Sequence, residues 1–196
     1  MDGRLDDDAL DIIFRNARTH NDWLDTPVTD ADLRAIFDLA KMGPTTANSC
    51  PARFVFLRAG EAKERLQPHL SAGNAEKTMR APVTAIIAHD LAFYEHLDKL
   101  FPHDNARPWF EGKDEHIRTS AFRNGSLQGA YFLIAARALG FDCGPMSGFD
   151  NAGVDESFFA DTNFRSNFLC NLGHGDQSAL PPRNPRFDFD EICQIL

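Results

Sequence analysis

Apolar residues at Leu10, Ile13, Phe14 and Ala17 recur at helical spacing, and Leu33, Ile36, Phe37 and Ala40 repeat the pattern. Thr29 with Asp32 three residues on has the form of a capping box ahead of the second set. The chain is thus expected to open with two short amphipathic helices. Phe54 to Leu57, Val83 to Ala88 and Asn167 to Leu172 are apolar runs bounded by charge or proline, which predict three buried strands. Between the second and third strands, Leu127, Ala130, Tyr131, Ile134 and Ala138 follow one helical face, and Gly140 supplies a C-terminal cap. The small residues Gly129, Ala130, Ala135, Ala136 and Ala138 suit a central helix against which other backbones pack closely. Gly43 to Pro51 reads as a loop with polar groups uncommitted to helix or sheet. Phe93 to Trp109, rich in aromatics and histidine, has no clean period; a lid or interface excursion and an ordinary packed connection both remain open.

Composition narrows the function classes. With 196 residues, 43% of them apolar, the chain is one domain or an oligomer subunit with material for a real core. Its 29 acidic against 20 basic side chains give a net charge of −9, which argues against a nucleic-acid partner, because a phosphate backbone demands a dense cationic face. No apolar run approaches the roughly 20 residues of a bilayer span, and Met1 to Asp8 is acidic, unlike a signal sequence. No membrane association and a cytoplasmic location are the expectation. Cys50, Cys143, Cys170 and Cys193 lie far apart, as reduced thiols do, and the histidines show no metal-ligand spacing, so no metal is expected. Gly173-His174-Gly175 lacks the third glycine and the following helix of a dinucleotide turn, and no Walker loop or nucleophile elbow is present. Seventeen phenylalanines against two tyrosines fit a wide core, an oligomer interface or a flat pocket.

Five polar clusters at predicted loops or element ends remain: Arg18 to Asn21, Pro44 to Asn48, Gly73 to Lys77, Gly144 to Phe149, and Arg183 to Arg186. In this order they resemble the FMN-dependent nitroreductase-like flavoproteins, from about Arg18 to Glu191. Within that family the strings ARTHNDW, KMGPTTANSCPAR, SAGNAEKT, TAFRNGSLQGAY and GPMSGFD are most similar to the malonic semialdehyde reductases of pyrimidine degradation. The resemblance implies an α+β fold, a three-layer sandwich around a central, mostly antiparallel sheet. It also implies an intertwined homodimer with two FMN sites at the interface, each built by both subunits.

The resemblance places Arg18, Thr19 and Arg186, with Arg183, on the flavin phosphate, whose charge suits two-pronged guanidinium contacts. Asn74 and Lys77 match the pair facing the pyrimidine edge, where reduced flavin gathers negative charge. Asn21 stands where many relatives carry a cation, which implies a less strongly oxidising flavin. Thr45, Thr46 and Asn48 match the loop around the ring and ribityl chain, with Cys50 and Ala52 departing from the family pattern. Ser147-Gly148 matches the backbone step whose N–H groups face N5 and O4. The implied chemistry is ping-pong: NADPH or NADH gives hydride to the flavin, and a small aldehyde, malonic semialdehyde, takes it to become 3-hydroxypropanoate. Arg53 and Arg107 are the candidates for its carboxylate; no residue stands out as proton donor. A general nitro or quinone reductase shares every cofactor residue; the other alternative is a non-catalytic flavin-binding protein that holds FMN as a structural ligand without a productive nicotinamide pocket.

Overall fold

A computed structural model describes residues 3–196; Met1 and Asp2, the start of the acidic N-terminus, lie outside the described residues. The helices are α1 (Asp7–Leu10), α2 (Asp30–Ala40), α3 (Glu61–Leu66), α4 (Ala72–Arg80), α5 (Leu97–Leu100), α6 (Asp114–Ala138), α7 (Asn151–Phe159) and α8 (Phe189–Ile192). The strands are β1 (Ala52–Arg58), β2 (Val83–Asp90), β3 (Asp142–Met146) and β4 (Phe164–Gly173). They form one antiparallel sheet in the order β1-β2-β4-β3.

Side chains that alternate along a strand feed two opposite faces. Val83, Ala85 and Ile87 of β2, with Cys170 and Leu172 of β4, pack with Leu33 and Ile36 of α2 and Phe132, Ala135 and Ala136 of α6. Ile86, Ala88 and Leu169 point the other way, into a second core with Leu66 of α3 and Val154 and Phe159 of α7. Three layers follow, and β2, covered on both faces, is buried throughout, which is why its middle, Ala85 to Ala88, is apolar on both faces. The α+β sandwich expected from the resemblance is the fold observed.

The Thr29–Asp32 capping box forms in both directions, with Asp32 N donating to Thr29 Oγ1 and Thr29 N to Asp32 Oδ2. Gly140 adopts φ +81° and closes α6 as a Schellman turn, its N–H donating to Arg137 O while Phe141 N–H donates to Ala136 O. The segment between Phe93 and Trp109 resolves as a packed connection: Phe93, Leu97, Ala106 and Phe110 build a small core of their own against Ile117 and Ala121 of α6.

Three expectations are corrected. The first helix is four residues of α1 continued by a π-helical turn, Asp11–Arg15, so Ala17 lies beyond it and Phe14 faces solvent. The fourth strand, β3, is missing from the sequence reading because Asp-Cys-Gly-Pro-Met neither alternates nor favours extended pairing; it forms on the sheet edge, where a proline is tolerated. The largest correction concerns α6. Its buried face is Ile117, Ser120, Ala121, Asn124, Gly125, Gln128, Gly129, Phe132, Ala135 and Ala136, whereas Leu127 and Tyr131 of the periodic stripe are 46% and 38% exposed. Glycines on the inner face admit bulky neighbours: a Cβ on Gly129 would meet Phe168 at 2.6 Å and one on Gly125 would meet His89 at 2.9 Å. Small and amide side chains therefore pack inward, leaving an apolar stripe outside.

Candidate functional site

Past the first helix the chain straightens, and Thr19 bridges in parallel to Cys143 on the outer side of β3. The C-terminal segment returns to this place, tied by Arg18 Nη2 donating to Pro181 O at 2.5 Å and Arg183 Nη2 donating to Arg15 O at 2.7 Å. Arg18, Thr19, Asn21, Arg183 and Arg186 thereby line one cavity of about 230 Å³, together with Arg137 from the last turn of α6. Among the described residues no acidic side chain lines it, and none of its four arginines pairs with a carboxylate. In a chain of net charge −9, four such guanidiniums around one concavity have the charge and donors to hold an anion. The buried Nε of Arg137 also has no hydrogen-bond partner.

The next groups sit farther along β3. Thr78 of α4 is buried, its hydroxyl against Met146 Sδ, so the helix lies on the end of β3. Gly148 O accepts from Ser71 N at 3.1 Å and from Asn74 Nδ2 at 2.8 Å. The N–H groups of Ser147 and Gly148 find no protein acceptor among the described residues, which leaves two adjacent donors free for a ligand. Lys77, three residues from Asn74 on the same helix face, is half-buried and takes no protein partner among the described residues. At its C-terminal end α4 is joined to the segment beyond Asn21 by Arg80 and Asp22 at 2.8 Å.

Thr45, Thr46 and Asn48 lie elsewhere. Their loop contains three non-glycine residues in the left-handed region, Ala47 (φ 50°), Asn48 (φ 48°) and Cys50 (φ 42°). Such backbone costs about 1–3 kcal/mol per residue and persists only when its surroundings fix it. Here the fixing groups are Asn124 Oδ1, accepting from Thr46 N at 2.9 Å, Gln128 Oε1, accepting from Ala52 N at 2.8 Å, and Leu100 O, accepting from Asn48 Nδ2 at 2.8 Å. The loop enters β1 at Ala52, which pairs with His89, whereas Thr19 lies beside Cys143, whose row runs through Leu172 and Val83 to Arg58. Three inter-strand steps of about 4.8 Å and six residues at about 3.3 Å separate these diagonal corners by roughly 25 Å. Along α6 the separation is similar, roughly 20 Å for the 13 residues from Asn124 to Arg137. One chain thus brings the arginine cavity, α4 and Ser147-Gly148 along one edge and holds the threonine loop at the opposite corner.

The two substrate candidates are engaged otherwise. Arg53 donates to Asp90 Oδ2 at 2.6 Å and covers Phe164, and Asp90 is only 4% exposed at its side chain, so Arg53 neutralises a buried carboxylate. Arg107 donates twice to Glu111 Oε1, an exposed pair that holds its guanidinium firmly charged. Sequence reasoning missed Arg137, because an arginine in a last helical turn reads as a partner of the helix dipole. Asn124 and Gln128 were legible only as polar residues at i, i+4, a spacing that by itself reads as a solvent face.

The Nitroreductase family profile matches residues 15–174 of the chain. A relative in Burkholderia lata, named as an NADH dehydrogenase/NAD(P)H nitroreductase, is 63% identical over 97% of this chain and 98% of its own. One in Stenotrophomonas maltophilia with the same kind of name is 58% identical over the whole of both chains. Among solved structures, a nitroreductase-type protein of Exiguobacterium sibiricum in complex with FMN superimposes with a TM-score of 0.85 at 16% identity, covering 98% of this chain and 99% of that one. By profile, by relatives and by fold, the chain belongs to the nitroreductase family.

Proposed function

We propose that this chain is an FMN-dependent oxidoreductase that draws hydride from NADPH or NADH and delivers it to malonic semialdehyde, giving 3-hydroxypropanoate. The single observation carrying the flavin reading is the arginine cavity, which no carboxylate among the described residues lines, on the same β3 edge as Lys77 and the two N–H groups that lack a protein acceptor there. Those residues fit FMN. Arg18, Arg183 and Arg186, with Thr19 and the orphaned Nε of Arg137, hold the phosphate. Asn74, Lys77 and Asn21 meet the pyrimidine edge, and the Ser147 and Gly148 N–H groups meet N5 and O4. Bound FMN supplies a two-electron relay that separates nicotinamide oxidation from acceptor reduction. The protein's part is positional and electrostatic: Lys77 offsets charge gathering at the reduced ring, and the glycine lets backbone donors come close.

The threonine loop joins this site only from a second copy, which is the argument for a homodimer. The outward stripe of α6 supplies a surface, with Phe122 53% and Leu127 46% exposed along a groove that Arg118 and Arg123 also line. The C-terminal segment offers Phe187, Phe189, Ile192 and Ile195, all more than half exposed. Charging the stripe with Leu127→Glu is expected to shift the protein from twice 21.9 kDa to a single chain and to abolish flavin retention, read by light scattering and absorbance. A dimeric, flavin-binding variant would remove this face from the interface.

A nitro or quinone acceptor is the second reading, favoured by the nitroreductase names of the relatives. Anaerobic absorption titration separates the two. NADPH is expected to bleach the flavin band, and malonic semialdehyde to restore it faster than a quinone or nitroarene at equal concentration. Recolouring by the latter alone would reject the aldehyde and keep the oxidoreductase.

A further inference from the structure

We infer that Lys63 is a positioning residue for the flavin site: its buried ammonium, bonded to backbone carbonyls at the end of α4, sets the direction in which that helix presents Asn74 and Lys77. The inference rests on the reading of α4 as the pyrimidine-edge contact. Lys63 is fully buried within α3, and its Nζ donates to Thr78 O at 2.6 Å and to Ala81 O. No carboxylate pairs with it among the described residues. Thr78 is in the last turn of α4, whose carbonyls have no intrahelical partner and carry the negative end of the helix dipole.

An unpaired buried ammonium is an expensive way to satisfy carbonyls. Burial pushes the Lys63 pKa down to about 8, because the charged form loses its hydration. An apolar side chain would avoid that penalty but leave the Thr78 and Ala81 carbonyls without a donor, so apolar packing does not account for the lysine. Geometry does. A nine-residue helix does not hold itself together in water, so its axis is set by its attachments. One end is fastened through Ser71 N and Asn74 Nδ2 to Gly148 O; the other is fastened by Lys63 and by the exposed Arg80–Asp22 pair. Lys77 lies near the second end, so loosening that end moves Lys77 more than Asn74.

The test uses Lys63→Met, which keeps the stem without the charge, and Lys63→Gln, which keeps N–H donors. FMN is added to the FMN-free proteins, and its dissociation constant, the flavin midpoint potential, amide exchange over residues 74–81 and the thermal midpoint are measured. Lys63→Met is expected to weaken FMN about tenfold and to weaken the reduced form by a further tenfold, lowering the two-electron potential by about 30 mV. Amide exchange at 79–81 quickens, the thermal midpoint falls modestly while the chain stays folded, and Lys63→Gln recovers part of the loss in affinity and potential. In a Lys77→Met background, Lys63→Met costs much less than it does alone, since most of its effect passes through Lys77. Unchanged affinity and potential, losses that add in the double variant, or failure of both Lys63 variants to fold would each overturn the inference. A native chain that takes up no FMN would instead overturn the flavin reading on which it stands.

Discussion

Replacing Arg18 by alanine is expected to weaken FMN binding about a hundredfold while leaving riboflavin, which lacks the phosphate, nearly unaffected. Charge-assisted hydrogen bonds contribute about 1.5–3 kcal/mol each, and each 1.4 kcal/mol is tenfold in affinity, so one lost two-pronged contact suffices. The effect should be near the upper end because Arg18 also holds the cavity together. Its bond to Pro181 O pins the segment that carries Arg183 and Arg186 to the same place. Losing it removes one guanidinium and loosens two others. Flavin fluorescence titration at two salt concentrations measures both effects. Equal losses for FMN and riboflavin would show that Arg18 does not meet the phosphate.

The other large effect belongs to Gly148. A Cβ there would meet Asn74 Nδ2 at 2.6 Å and Ser71 Oγ at 3.3 Å, the residues that fasten α4 to Gly148 O. Gly148→Val therefore pushes the Asn74 amide off Gly148 O and crowds the two N–H groups proposed to face N5. Loss of one aimed donor in a water-excluded site typically costs about a hundredfold or more in rate. The rate of flavin bleaching by NADPH, followed anaerobically, should fall by at least about that factor, with FMN retention reduced far less because the arginine cavity is untouched. Bleaching within threefold of the native rate would place the hydride-accepting position elsewhere.

Three of the four strands and the capped ends of α2 and α6 were legible because local chemistry determines them: β2 is apolar from Ala85 to Ala88, Thr29 and Asp32 complete their own turn, and Gly140 takes a conformation open to few other residues. The facing of α6 was not, because periodicity records which residues are alike and not which way they turn. Leu127 and Tyr131 mark a real stripe, but amides and glycines on the opposite side bind the loop at Thr46 and Ala52 and admit His89 and Phe168. The candidate site divides similarly. Arg18 and Arg186 lie 168 positions apart along the chain yet line one cavity, a convergence that the family resemblance supplied and residue spacing could not. Arg53 looked available beside the polar loop, and only the fold brings Asp90 to it from β2.

The diagonal separation of the threonine loop from the arginine cavity also has a genetic consequence. In the proposed twofold dimer, each flavin takes its cavity from one chain and its loop from the other. A chain defective at Arg18 and a chain defective at Thr46 would each be inactive alone. Co-expressed, they form mixed dimers in which one site gathers both defects and the other gathers none. Random pairing makes half of the dimers mixed, so two null alleles together would restore about a quarter of the native activity.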